Sequence, residues 1–369
     1  MAGGRGISLP GVHGFLREPY RCVGGGGPGA AAGLEDLAVW VFHGGVVLEI
    51  AVRKSHSILL TCWLTLVCCV SACDDQGPLD LVSYSRNAGV GYDVCLAKDH
   101  AYVTNNSGVV IFDVREPKRP RKVGNLSAGV TFGIWVENGL AYISGEHGLV
   151  TADVSDPTSP RKLAEYAIGR ETHRVRVEGS YVYVASSEGL EILDVRDPGR
   201  VTPTAHFGDG MAWGVEVCGG IAYLADYSNG VEVIDVTDPA SPRKIKTLAG
   251  TKGASDVHVH DEYLYVGCHG AGIGIFNISD RKSPQRVGSF RDDDNGEALG
   301  VWGDGRRLYV ADNFGIEVLD VTDPTDPYQI GEYSRVKGAH DLCVDGSFIY
   351  IADASRGLVV LRFEENWER

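Results

Sequence analysis

The sequence predicts an all-β chain: a seven-bladed β-propeller of four-stranded blades, its ring closed by a strand from the start of the mature chain. Three observations carry that prediction. First, a glycine-led stretch, GVEVIDVTDPASP from Gly230, recurs from Gly108, Gly148, Gly189, Gly272 and Gly315, with a broken copy, GLVVLRFEEN, from Gly357. These glycines stand 40, 41, 41, 42, 43 and 42 residues apart, a period that announces a repeat architecture. Second, each copy belongs to a set of four short runs rich in Val, Ile, Tyr and Thr and bounded by Gly, Asn, Asp and Pro. Third, the last copy ends without its fourth run, while a run of the same pattern, LDLVSYSRNAG from Leu79, stands ahead of the first.

Within a unit the elements follow in order. An apolar run comes first, such as VRVEG at Val175 or VEVCG at Val215. A tyrosine-centred run follows, as in AYVT at Ala101, VYVA at Val182 and IYIA at Ile349. The glycine-led run is third. In Val231–Val236, Val231 and Val233 share one face of a strand and Ile234 and Val236 the other, as burial between two neighbouring sheets requires. An Asp-Pro pair then turns the chain, at Asp156–Pro157, Asp197–Pro198, Asp238–Pro239 and Asp323–Pro324. The fourth run carries Arg-Lys at Arg121, Arg161 and Arg243, read as charges that keep an outer edge from pairing with another sheet. No run shows a helical apolar period over ten or more residues. Four strands in about 40 residues make one propeller blade. Pairing of Leu79–Ser85 beside Gly357–Phe363 would complete the seventh and close the ring.

The unit GLxIxDVxDPxxP at this period resembles the LVIVD-repeat proteins, propellers of bacterial and archaeal cell surfaces. The resemblance runs from about Gly89 to Phe363. It implies architecture and a surface address. It transfers no catalytic residue, because the family is not defined by an activity.

The upstream part reads differently. Residues 1–51, with RCVGGGGPGAAAG, are low in complexity and show no capped helix or alternating strand; they are read as an untranslated or disordered upstream extension. Residues 52–72 are read as a lipoprotein signal peptide, with Val52 as initiator if its codon is GTG. Arg53, Lys54 and His56 lead into ILLTCWLTLVCCV, which is shorter than the ~20 residues a spanning helix needs. Val70-Ser71-Ala72-Cys73 resembles the bacterial lipobox, which implies lipidation of Cys73. Residues 73–78 would then be a tether and 79–369 the ring. The expected address is the bacterial cell envelope, lipid-anchored on the extracytoplasmic side.

Residues 1–72 hold 5 basic and 4 acidic side chains, so 29 of 34 basic and 45 of 49 acidic residues lie downstream, net −16. That balance argues against nucleic acid as a partner. Four cysteines follow Cys73: Cys95, Cys218, Cys268 and Cys343, without zinc-ligand spacing. Cys95 and Cys343 share a register in the first and seventh units, but neighbouring inner strands sit too far apart for a ready disulfide, so two small buried thiols are expected.

Ligands of a propeller meet it at the central channel or at the loops entering the inner strands. In register, those loops put Asp93, Arg174, Asp256 and Asp341 at one level, and Tyr92, Phe132, His173, Trp213 and His340 one position earlier. The plain reading is a solvated channel mouth in which each charge bonds its neighbour. The functional reading is a pocket for a small polar ligand or a cation. A metal-dependent hydrolase or lactonase would need three or four converging His, Asp or Glu, for which Asp93, His173, Asp256, His340 and Asp341 are the candidates. The acidic loop RDDDNGEALG fails the EF-hand pattern, with Arg291 and Trp302 at its two ligand ends. No Walker loop, dinucleotide fingerprint, GxSxG or HExxH occurs. No cofactor is expected, with a divalent cation at the channel as the alternative. The reading that follows is a membrane-tethered, non-enzymatic scaffold for a protein, peptide or glycan ligand, set against a channel-centred hydrolase or cation-binding propeller.

Overall fold

The computed structural model describes residues 37–43, 46–52, 77–291 and 296–364. The chain divides into two units, residues 1–74 and 75–369. In the second unit the described strands form seven antiparallel sheets of four strands each, the seven-bladed propeller expected.

The fourth blade shows why these residues form this element. Its inner strand, Ala212–Cys218, pairs with Ile221–Asp226, then Gly230–Asp235, then the outer strand Arg243–Thr247. The two middle strands are almost wholly buried, and the outer one is mostly exposed. Val231 and Val233 pack with Val257, Leu264 and Val266 of the fifth blade. Ile234 and Val236 face the other way, against Tyr183, Leu190 and Ile192 of the third. Each such side chain gains roughly 1.5–3 kcal/mol from full burial, and it gets that only from the neighbouring blade. The tyrosines of the second strands recur at one position. Tyr183, Tyr223, Tyr265, Tyr309 and Tyr350 are the largest fully buried side chains.

The turns follow from the same motif. At Asp156 the carbonyl accepts the Ser159 N–H at 3.0 Å, and Oδ1 accepts the Thr158 N–H at 3.0 Å. The leading glycine has a steric cause: Gly148 sits at φ +115°, and a Cβ there would stand 2.3 Å from the Tyr166 carbonyl of the outer strand.

The seventh blade is completed from the other end of the chain. Leu79–Ser85 pairs antiparallel with Gly357–Phe363, from Leu79 opposite Phe363 to Ser85 opposite Leu358. Leu79 is fully buried with Tyr309, Val318, Leu361 and Phe363, between the sixth and seventh blades. The seventh inner strand, Ala339–Asp345, then lies against the first, Val94–Ala97, and the ring is closed. The Asp-Pro turns gather at one end of the blades. Because Leu79 pairs with Phe363, the chain enters the ring at that end, opposite the loops that lead into the inner strands.

The first unit contains a hairpin, Leu37–His43 paired with Val46–Val52 from Leu37↔Val52 to His43↔Val46. Sequence reading found no alternating strand there. The missed signal is two runs of β-branched and aromatic residues separated by Gly44-Gly45. The predicted signal-peptide residues 53–72 and Cys73 lie outside the described residues.

Candidate functional site

Each inner strand enters the channel from the mouth, and most do so through a β-bulge. The pairing slips between Thr131 and Gly133, Thr172 and Val175, Ala212 and Gly214, Ala254 and Asp256, and Ala339 and Asp341. A strict strand would send consecutive side chains to opposite faces. The bulge re-aims one of them. Two layers result, one residue apart in sequence, as the loop register predicts.

The upper layer is an aromatic cup. Tyr92 stacks on His340 at 5.4 Å and meets Phe132 edge-on at 5.2 Å. Phe132 lies 6.1 Å from His173, which stacks on Trp213 at 4.5 Å. These five rings follow one another from the seventh blade, across the closing seam, to the fourth. The fifth and sixth blades contribute Ser255 and Leu299 instead, and with Glu171, His269 and Arg174 the walls enclose about 330 Å³. Trp213 remains 42 % exposed. Burial pushes the His173 imidazole down to about 4, so it is neutral at pH 7.

The floor is a buried ion cluster centred on Arg174. Its Nη2 donates to Asp341 Oδ1 at 2.6 Å, its Nε lies 3.0 Å from Asp256 Oδ1, and its Nη1 lies 3.6 Å from Asp93 Oδ1. The Nε contact is Coulombic only, because Asp256 Oδ1 accepts no hydrogen bond. The sixth, fourth and second blades hold Gly300, Gly214 and Gly133 at this level. A Cβ on Gly300 would stand 2.8 Å from Asp341 Oδ1, and one on Gly214 3.0 Å from Asp256 Oδ1. The glycines make the room that the charged side chains fill. The carboxyls also staple blades: Asp93 Oδ2 accepts the Ile134 N–H at 2.8 Å and Asp256 Oδ2 the Val301 N–H at 2.9 Å.

Burial, with the charge and hydrogen bond of Asp341, pushes Asp93 well above the carboxylate range. Burial would raise Asp341 too, but the Arg174 charge and hydrogen bonds from Asp93 and Arg174 hold it below its ordinary value. The opposed directions make Asp93 the more readily protonated of the pair and Asp341 the acceptor of the hydrogen bond between them. Burial raises Asp256 to about 6 against the pull of Arg174. Burial also disfavours the charge on Arg174, but the three carboxyls outweigh it and hold the guanidinium protonated.

Sequence reading missed a third layer, two residues further along each inner strand. It consists of Cys95, Trp135, Arg176, Glu216, His258, Trp302 and Cys343. Arg176 donates from Nε to Glu216 at 2.9 Å and lies 4.7 Å over the Trp135 ring. His258 donates from Nε2 to the Gly303 carbonyl at 3.0 Å and stacks on Trp302 at 5.6 Å. Strand alternation places these residues on the channel face; the missed step was to extend the register by two. Cys95 and Cys343 are free thiols, and burial pushes Cys95 up to about 12 and Cys343 well above its ordinary value. The channel is therefore a cup over packed layers.

The candidate residues Asp93, His173, Arg174, Trp213, Asp256, His340 and Asp341 all meet here. Among the described residues, no group of three or more His, Cys, Asp or Glu is placed to hold a metal ion. The carboxyls of the cluster turn toward Arg174 and the backbone. A model of the LVIVD repeat matches residues 128–167, 169–202, 209–248, 252–292, 295–334 and 338–361. The chain belongs to the LVIVD-repeat family. These six matches cover the second to seventh LVIVD blades, and the first blade is the unmatched copy that begins its motif at Gly108.

Solved structures show the same architecture. The β-propeller domain of Myceliophteria thermophila Cps50 (Swd1) superposes with a TM-score of 0.62 at 13% identity, covering 77% of this chain and 99% of that one. The computationally designed Ika8 protein gives 0.58 at 7% identity, covering 76% and 99%. At such identities the likeness is one of fold. No curated protein matches the chain.

Proposed function

We propose that this LVIVD-repeat propeller is a non-enzymatic binding protein that receives its ligand in the aromatic cup. One observation carries the reading. The cup has apolar walls and a mouth open to solvent, while the acids beneath it are engaged with Arg174, with one another and with backbone N–H groups. A hydrolase needs a carboxylate or imidazole free to take a proton or hold a metal-bound water. Asp93, Asp256, Asp341 and His340 are tied down, and the His173 imidazole alone cannot hold a metal, which favours the scaffold over the channel-centred hydrolase.

The anchor belongs to the same proposal. Lipidation at Cys73 would hold the ring at the extracytoplasmic face of the bacterial envelope, and the chain enters the ring at the Asp-Pro end. The cup would then open away from the bilayer, toward a protein, peptide or glycan. Radioactive palmitate should label the wild type and not Cys73→Ser; an unlabelled wild type ends the anchor. For the cup, wild type and Trp213→Ala/Phe132→Ala are compared on peptide and glycan arrays. Capture of one ligand class that the double variant loses is expected; capture indifferent to both rings removes the cup from the function.

A further inference from the structure

We propose that the cup selects an organic cation with an apolar body, a methylated ammonium group above all; the inference rests on the cup being the binding site. Charge is the first argument. Arg174 is the one permanently charged cation among the lining residues, and three carboxyls surround it. Even with Asp93 counted as neutral, Asp256 and Asp341 outnumber the guanidinium by one negative charge. Glu171 on the wall adds another. The neutral His173 does not offset them. The field in the cup is therefore negative, and an anionic ligand is disfavoured.

The walls supply the second argument. Tyr92, Phe132 and Trp213 line the cavity, and aromatic faces attract a cation that has lost its water. Two polar handles of the wall already have partners inside the protein. The Tyr92 hydroxyl donates to Asn106 Oδ1 at 2.8 Å, and Ser255 Oγ bonds the Gly267 and Ala298 carbonyls. A sugar would find few groups free to read its hydroxyls. A primary ammonium would have the Glu171 carboxylate for one N–H and would have to give up its water at the aromatic faces for the others. A quaternary ammonium has none to satisfy, and a site of about 330 Å³ has room for such a head and the chain that carries it.

Choline and its uncharged isostere, 3,3-dimethylbutan-1-ol, are the probes, titrated by calorimetry against the full chain. Choline should bind at least about tenfold tighter than the isostere, the order of a desolvated cation–π contact. Trp213→Leu should weaken choline by a similar factor without moving the thermal midpoint, since Trp213 is 42 % exposed. Equal affinity for the two probes overturns the cation inference and leaves the cup as an apolar binding site. Binding of neither, while the arrays still show a ligand lost with Trp213→Ala/Phe132→Ala, does the same. Binding of neither, with arrays indifferent to both rings, ends this inference and the binding reading together.

Discussion

Arg174 and Asp341 stand 167 residues apart in the chain and meet at 2.6 Å on the channel axis. One belongs to the third blade and the other to the seventh, which exists only because the ring closes. The contact therefore reports closure from the inside, as the pairing of Leu79–Ser85 with Gly357–Phe363 reports it from the outside.

Removing the cation should show what it holds. Arg174→Met would leave Asp256 and Asp341 buried beside the Asp93 carboxyl with no opposite charge nearer than Arg176, which is already paired with Glu216. Breaking a buried pair on one side costs about 3–5 kcal/mol, and at roughly 2–4 °C per kcal/mol the thermal midpoint should fall by on the order of 10 °C. Adding Asp256→Asn and Asp341→Asn should recover most of the loss. Calorimetric scans of the three proteins check this, and an unshifted midpoint in Arg174→Met would show the cluster to be energetically idle.

The fold was legible because the chain states it seven times. The Asp-Pro turns, the second-strand tyrosines and the leading glycines each repeat at one register, and the missing fourth run pointed to Leu79. The four charged residues at one level were legible for the same reason. What they do to one another was not, because Arg174 reaches residues of three other blades and no spacing along the chain encodes that. Nor did the strand pattern reveal the bulges that bring His173 and Arg174 into the channel together. The Trp135–Arg176–Glu216–His258–Trp302 layer escaped because each member sits alone among the apolar residues of its own strand. Only the ring makes them neighbours.

Asp256 should leave a signature in the pH dependence of stability. Its folded value is about 6, raised from an unfolded value near ~3.9. The folded state thus holds that proton more tightly, so the contribution is fully present below the unfolded value and is lost as pH rises through about 6. A two-unit shift is worth on the order of 2–3 kcal/mol. Urea unfolding at pH 4.5 and 7.5 should show the wild type losing stability relative to Asp256→Asn across that window. Parallel curves would place the proton elsewhere. Asp341, held low, acts with the opposite sign: its contribution is present above the unfolded carboxylate value and is lost as pH falls below that value through the folded one.

The closing strand makes a sharper demand. Leu79 is 1% exposed in the core between the sixth and seventh blades, so Leu79→Ala should cost about 2–5 kcal/mol in chemical denaturation. A chain beginning at Arg86 would lose the whole strand and bare the edge of Gly357–Phe363. That edge pairs with another copy if nothing covers it, so size-exclusion chromatography should show oligomers or aggregate. A monomer as stable as the full chain would mean that the ring does not depend on its zip.

The glycines of the floor give a test of shape apart from charge. Gly300 stands where a Cβ would meet Asp341 Oδ1 at 2.8 Å, the Asp341 Cα at 3.0 Å and the His340 carbonyl at 3.1 Å. Two of those three atoms are backbone, so the neighbouring inner strand must move, and overpacking of this kind costs typically about 1–3 kcal/mol. The movement would also draw Asp341 from Arg174 and His340 from Tyr92. Gly300→Ala should therefore lower the melting temperature and weaken ligand capture at the cup, although residue 300 lines no part of it. Gly199→Ala is the control: it sits in an Asp-Pro turn, and its Cβ would meet only the Asp197 side chain, at 3.3 Å. If both variants melt and bind alike, the alternation of glycine with charge has no steric meaning, and the cup does not depend on the floor beneath it.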